Sequence, residues 1–314
     1  MTYWVRGAIL SLGFFALVYL TMSAMVALGV RFVGARFLNA QGARSTRQLY
    51  LLRLLPLGAA LAALLALVIP SFIAHEPAHS AEVIGLPSIA LAMVGAGILI
   101  LGLARVLKAW RQSARFVAAC EAASERLMTP GGEAALQVSA EAANLLLVGI
   151  LRPRLFISSR ATALLDSQEL EAAMQHEISH GRHYDNLKKL LLQLCAFPGM
   201  AAIEREWLRR AEIEADDSAV KNPQEALALA SALIKVAGEH STSPVPALAM
   251  NLLPEAGAPL KERVDRLLGW SPKIAQRRSH FAHYLGATVI LLLLVVAHQP
   301  TLLRVHELTE LLLR

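Results

Sequence analysis

The stretch LEAAMQHEISHGRHYDN, residues 170–186, contains two histidines four positions apart, His176 and His180. Residues at this spacing share one face of an α-helix, so both imidazoles can bind a single metal ion while Glu177 stands beside it. The stretch therefore predicts a metal-binding helix.

The residues around the two histidines favour that helix. Asp166 or Ser167 can cap its N-terminus, and apolar residues recur at helical spacing at Leu170, Met174 and Ile178. We expect the histidines to project from a helix that is packed into a domain.

A third ligand has to come from another part of the chain, and two glutamates are candidates. The segment RAEIEADDSAV, residues 210–220, offers Glu212 and Glu214. Glu212 has Asp216 four positions later on the same helical face, so one carboxylate can bind metal while the other orients a ligand histidine. This spacing favours Glu212, and Glu214 remains the alternative.

Two histidines followed by an acidic ligand form the motif of zinc peptidases. One Zn²⁺ ion would activate water, and Glu177 would act as the general base. Groups near the motif could contact the substrate or stabilise the oxyanion; these are Arg182, His183, Tyr184 and His240. Asp185 either caps or orients the motif helix or forms a surface ion pair.

The composition indicates a membrane protein. The 314 residues are 55% hydrophobic, and the mean hydropathy is +0.48. The net charge of +6 does not indicate nucleic acid, because much of the arginine excess lies beside apolar runs, as the positive-inside rule predicts. Cys120 and Cys195 lack the spacing of a metal site and are expected to be buried free thiols.

Four apolar runs are long enough, or nearly long enough, to span a bilayer. The arginine-rich segment 31–53 follows the first run and marks the cytoplasmic side, so the N-terminus is expected outside. The chain is thus divided into three spans in 1–105, a cytoplasmic metallopeptidase domain in 106–280, and a fourth span with a short outer tail in 281–314. The runs are 7–30, 54–74, 83–104 and 281–297.

Within the cytoplasmic part, the third span is predicted to continue as a helix until about residue 128. One or two strands are expected at 135–140 and 153–159, and the second could offer an edge to a substrate strand. The apolar segment 187–202 is predicted to be a core or membrane-interface helix. Further helices are expected at 202–220, 224–238 and 260–270.

Four segments in this order, VGILRPRLFIS, HEISHGRHYDN, Phe197-Pro198 and LRRAEIEADDSAV, resemble the M56 peptidases, which are related to the β-lactam sensor-transducers BlaR and MecR. The resemblance implies a bacterial inner-membrane protein, mainly α, with a four-span bundle and a cytoplasmic α+β gluzincin-type domain. It also implies His176, His180 and Glu212 as zinc ligands, Glu177 as the base and Asp216 as their partner.

The chain departs from that family in two respects. Few residues follow the last apolar run, so an outer antibiotic-sensing domain is not expected. Ala215 stands where a cysteine is common, and the resulting EADD also resembles the M48 quality-control peptidases.

The leading hypothesis is an integral membrane zinc endopeptidase that cleaves a cytoplasmic or membrane-bound protein in regulatory proteolysis. The alternatives are an M48-like quality-control protease and a signal-transducing protein whose protease-like domain binds a partner without cutting. The oligomeric state, including a homo-oligomer, is left open.

Overall fold

A computed structural model of the chain describes most of its residues, and it is mostly helical with one small sheet. The predicted last span, 281–297, lies almost entirely outside the described residues, as do His240 and Cys195. The described residues are 3–39, 46–76, 84–128, 134–139, 144–194, 197, 199–239, 250–251 and 258–271, with short pieces at 286, 289, 303–305 and 307.

The first third of the chain provides three helices that are long and apolar enough to cross a membrane. They are α1 (Tyr3–Asn39), a continuous helix Thr46–His75, and α4 (Leu86–Ala122). The middle helix consists of α2 (Thr46–Ala63), a π-helical segment (Leu64–Val68) and α3 (Ile69–His75). These helices include the three N-terminal runs predicted to be spans.

Helices α1 and α4 pack closely because a glycine lies between them. A Cβ atom on Gly95 would overlap the backbone carbonyl of Leu12, so any larger residue would force the helices apart. At one end of the bundle, Arg6 and Glu76 form a buried ion pair with Nη1 2.8 Å from Oε1. The three helices therefore form one packed unit.

The prediction that the third span stays helical to about residue 128 is wrong. Helix α4 ends at Ala122, and Ser124–Met128 is strand β1, paired antiparallel with β2 (Ala134–Val138). Pairing satisfies the backbone of this segment and lets Leu127 pack against the domain core. Tertiary contacts thus override a local helical preference.

Three further strands complete the sheet: β3 (Leu145–Val148), β4 (Arg154–Ser158) and β5 (Met250–Asn251). Their order is β1-β2-β4-β3-β5, with β2 and β4 parallel and the other pairs antiparallel. Because β4 pairs on both sides, it offers no free edge, which contradicts the substrate-edge prediction for 153–159.

The domain core lies between this sheet and two helices, α6 (Ser167–Arg182) and α9 (Pro223–Gly238). It is apolar and fully buried at Leu145, Ile157, Met174, Leu229 and Leu233. The other helices of this domain, within the residues that the structure describes, are α5 (Ser159–Leu164), α7 (Asp185–Leu194), α8 (Ala201–Ala219) and α10 (Leu260–Leu268).

Helices α7 and α8 join the domain to the membrane helices. An apolar cluster of Val30, Leu49, Leu192, Ile203 and Trp207 combines side chains from α1, α2, α7 and α8. In addition, a Cβ atom on Gly102 of α4 would lie 2.6 Å from the carbonyl oxygen of Leu194 at the end of α7. The predicted helix at 187–202 is confirmed only in its first half, as α7, which packs directly on a candidate membrane span. The chain leaves the helical conformation before α8 begins at Ala201.

Candidate metal centre

The motif helix α6 begins at a capping box. Asp166 accepts hydrogen bonds from the backbone N–H groups of Gln168 and Glu169, and Glu169 accepts one from the backbone of Asp166. The Glu169 carboxylate also accepts hydrogen bonds from Ser231 and Lys235 on α9. These bonds fix where α6 starts and dock it against α9.

The three residues favoured as metal ligands meet at one point. His176 and His180 project from α6 and Glu212 from α8, and one potential ligand atom of each lies within 4.8 Å of the others. The two Nε2 atoms are 3.2 Å apart, and each is 3.5 Å from an oxygen of Glu212. All three side chains are buried. Glu214, the alternative, is exposed on α8.

The other ring nitrogens of the histidines are held by carboxylates. Nδ1 of His176 lies 2.9 Å from Asp216, and Nδ1 of His180 lies 2.9 Å from Asp185. Since an ionised carboxylate only accepts, each Nδ1–H donates, and in the neutral imidazole Nε2 then presents a lone pair. Two lone pairs facing each other at 3.2 Å repel unless a cation or a proton lies between them.

Buried oxygen atoms also fit a cation. Among the described residues, neither oxygen of Glu212 and neither oxygen of Glu177 has a hydrogen-bond donor in suitable geometry. Buried carboxylates without donors are costly, and a bound metal ion would offset that cost. The donor set of two imidazoles and one carboxylate thus fits a metal ion.

Burial raises the pKa of Glu177 to about 8, and the nearby Glu212 charge acts in the same direction. Burial and the Arg263 charge lower the pKa of His176, but Asp216 and Glu212 outweigh them and raise it to about 9. Glu177 lies beside the ligands without pairing to them, so it can take up a proton near neutral pH.

Arg263 is part of this centre, and the sequence did not indicate it. Its guanidinium on α10 pairs with both oxygens of Asp216, and its Nη1 lies 3.3 Å from Glu212. Burial raises the pKa of Asp216, but the charges and hydrogen bonds of Arg263 and His176 together outweigh it and hold that pKa at about 2. One sequence feature could have indicated its role: Arg263 is a charged residue on the apolar face of α10, between Leu260 and Leu267.

Nor did the sequence indicate Asn186 as a residue that supports the centre. This buried residue donates from Nδ2 to the carbonyl oxygens of Leu147, at 3.0 Å, and of Gly149, at 2.8 Å. It ties the end of β3 to the start of α7, where Asp185 contacts His180. Gly149 has a φ of 114°, a conformation that favours glycine.

The other predicted contacts are less closely connected with the ligands. His183 Nδ1 lies 3.3 Å from the Ser179 hydroxyl, and Tyr184 is 60% exposed at a φ of 56°. Arg182 is exposed, and His240 lies outside the described residues. Asp185, which the sequence left undecided, is buried and orients His180.

A family model described as BlaR1 peptidase M56 matches residues 67–267, which is more than half of the chain. The chain belongs to the M56 family. In this M56 peptidase sequence the matched segment begins in the second apolar helix and ends on α10. It therefore includes the two histidines, their carboxylate partners and Arg263. A comparison with curated proteins finds no match.

Proposed function

We propose that this M56 family member is a membrane zinc endopeptidase with a gluzincin-type catalytic domain. The observation that carries the proposal is the convergence of His176, His180 and Glu212 beside an unpaired buried Glu177. Membership of a peptidase family and three apolar helices support a membrane-bound protease.

The spacing of the three side chains supports zinc as the metal. Two ligand atoms that each lie about 2.0–2.1 Å from one zinc ion at the tetrahedral angle are about 3.3 Å apart. The two Nε2 atoms are 3.2 Å apart here, and each lies 3.5 Å from one Glu212 oxygen, His176 from Oε2 and His180 from Oε1. Two histidines and one glutamate also leave a fourth position open for water, as catalytic zinc sites do.

When bound, zinc would supply an activated water molecule and polarise the scissile carbonyl. Glu177 would accept the proton from the attacking water and pass it to the leaving amine. Asp216 and Asp185 would keep both histidines in the tautomer that presents Nε2. The raised pKa of Glu177 suits a group that must both take up and release a proton.

We further propose the setting in which this chemistry occurs. The arginine-rich segment between the first two spans supports a cytoplasmic position for the domain, 106–280, with the N-terminus outside. A fourth span at 281–297 would complete the bundle in a bacterial inner membrane. The substrate would be a cytoplasmic or membrane-bound protein, cleaved in regulatory proteolysis.

The full chain, purified in detergent, tests the activity. We expect about one zinc per chain and cleavage within a peptide library, whereas Glu177→Gln should keep the zinc and lose at least about 100-fold in kcat. Glu214→Gln, which changes an exposed glutamate on α8, is the matched control and should behave as the native protein.

Two results would contradict the proposal. Zinc binding without cleavage by the native chain would indicate a domain that binds a partner instead. Absence of zinc from a folded chain would show that the buried cluster is not a metal centre. The orientation is tested separately with a reporter fused after residue 271, which should report the cytoplasm.

A further inference from the structure

Arg263 is the feature of the centre that the chemistry above does not use. Its side chain is only 1% exposed. Nε lies 2.8 Å from Oδ2 of Asp216 and Nη2 lies 2.6 Å from Oδ1, so the ion pair is bidentate. The same Oδ1 accepts from Nδ1 of His176 at 2.9 Å. A continuous chain of contacts therefore runs from α10 through Asp216 to a ligand histidine.

Holding α10 in place does not require a buried arginine. Two other ion pairs join α8 and α10 at the edge of their contact, Arg209 with Glu262 and Arg266 with Asp217. The side chains of these pairs are partly exposed. Burying a guanidinium costs several kcal/mol of desolvation, which an apolar side chain on this face of α10 would avoid.

The buried charges give Arg263 a reason to be there. Three buried carboxylates, Glu177, Glu212 and Asp216, surround the cluster, and Asp185 has Lys188 as its own partner. The Arg263 guanidinium neutralises Asp216 and lies 3.3 Å from Glu212, while the Lys189 ammonium acts on Glu212 and Glu177. Without the guanidinium, Asp216 would lose its bidentate cationic partner in a low-dielectric interior, which is unfavourable.

We propose that Arg263 is a positioning residue of the metal centre: it holds Asp216 in the orientation that presents His176 to the metal. The proposal rests on the proposed zinc site. A carboxylate held at both oxygens cannot rotate away from His176. The imidazole then keeps its tautomer and direction before the metal arrives.

Arginine is required for this role because of its shape. The planar guanidinium donates two parallel hydrogen bonds to one carboxylate, whereas a lysine ammonium acts as a single point charge. Arg263→Lys retains the positive charge and loses the two parallel hydrogen bonds. The variant therefore shows whether orientation of Asp216 matters in addition to its neutralisation.

The test is zinc affinity of the full chain in detergent, measured by competition with a chromophoric chelator. We expect Arg263→Lys to lose about tenfold or more in affinity, the range seen when groups behind a metal ligand are changed. Arg266→Lys is the matched control on the same helix, since its ion pair with Asp217 is partly exposed, and it should keep native affinity.

A double-mutant cycle tests whether Arg263 acts through Asp216. Arg263→Gln combined with Asp216→Asn should bind zinc no more weakly than Asp216→Asn alone, because on the proposed route Arg263 acts on His176 through Asp216 and not through its longer contacts with Glu212 and His176. The double variant removes both charges of the Arg263–Asp216 pair together, so neither is left without the other, and it can fold even if Arg263→Lys does not. Additive losses would overturn the proposed route.

The cobalt(II) absorption spectrum is a second readout, because it reports ligand geometry and not folding. A changed spectrum in Arg263→Lys with a native one in Arg266→Lys supports the proposal. If a folded Arg263→Lys variant binds zinc with native affinity, the positioning role of Arg263 is wrong, while the proposed zinc site is unaffected. If the native chain binds no zinc, the proposed function and this role fail together.

Discussion

The two histidines of the centre have the same geometry and different surroundings. Each donates Nδ1–H to an aspartate at 2.9 Å. Asp185, behind His180, lies five residues away and pairs with Lys188, whose side chain is 28% exposed. Asp216, behind His176, comes from another helix and pairs with the buried Arg263. One side of the centre is local and reaches solvent, and the other is assembled from three distant segments.

This difference should decide how each side responds to change. On the His180 side, a lost partner can be replaced by water, and the Lys188 ammonium can turn into solvent. On the His176 side, a lost partner leaves a charge buried and unpaired, which costs about 3–5 kcal/mol. The His176 side is therefore the more sensitive one.

The largest expected effect comes from changing the two aspartates separately. Asp216→Asn should weaken zinc binding about 100-fold and Asp185→Asn about tenfold, the two ends of the range for groups behind metal ligands. The reason is that Arg263 would lose its buried counterion, whereas Lys188 would remain hydrated. Chelator competition on both folded variants measures the difference, and equal losses would remove the distinction between the two sides.

A change at the start of α6 should affect both sides alike. Burial raises the pKa of Glu169, but hydrogen bonds from Lys235, Ser231 and the Asp166 backbone outweigh it and lower that pKa below the ordinary 4.5. A lowered carboxylate pKa stabilises the fold above the ordinary value, and this stabilisation is lost as the pH falls below it.

Glu169→Gln should therefore lower the stability by about 1–2 kcal/mol at pH 7. The difference in free energy of unfolding between the native protein and the variant should disappear as the pH falls below 4.5. Thermal unfolding of both proteins from pH 7 to pH 3.5 measures this. A gap that stays constant with pH would show that Glu169 contributes through packing and not through its charge.

The smallest effect is expected at Lys188. Lys188→Met removes the partner of Asp185 that reaches solvent, and because water can replace the Lys188 ammonium there, the loss should be about 1 kcal/mol and zinc affinity should fall by less than about fivefold. The same chelator assay measures it beside Arg263→Lys. A loss as large as that of Arg263→Lys would show that the His180 side is as sensitive as the other.

The local part of the centre was predictable from the sequence. The i, i+4 spacing places His176 and His180 on one helical face, and the same spacing selects Glu212 with Asp216, all of which the structure brings together. The helix cap at Asp166 was one of two alternatives for the same reason. These features depend only on residues a few positions apart.

The long-range part could not be predicted in the same way. Arg263 is 47 positions from Asp216, and no helical or strand period relates them. Similarly, β1 lies in a segment with a helical pattern, and it became a strand because β2 pairs with it. Strand pairing and ion pairs between helices are decided by tertiary packing, so a single sequence contains little trace of them.

The close contact between Gly102 and Leu194 limits how far the metal centre can lie from the candidate membrane span α4. Gly102 lies near the end of the apolar part of α4, and α7 runs from there back to Asp185 at the centre. Nine helical steps of 1.5 Å, about 14 Å, separate Leu194 from Asp185 along α7. About four extended residues cover this distance. Under the proposed function, a membrane-anchored substrate would need only a short unfolded segment beside the bilayer to approach the centre, whereas a compact soluble domain would have to expose a longer loop.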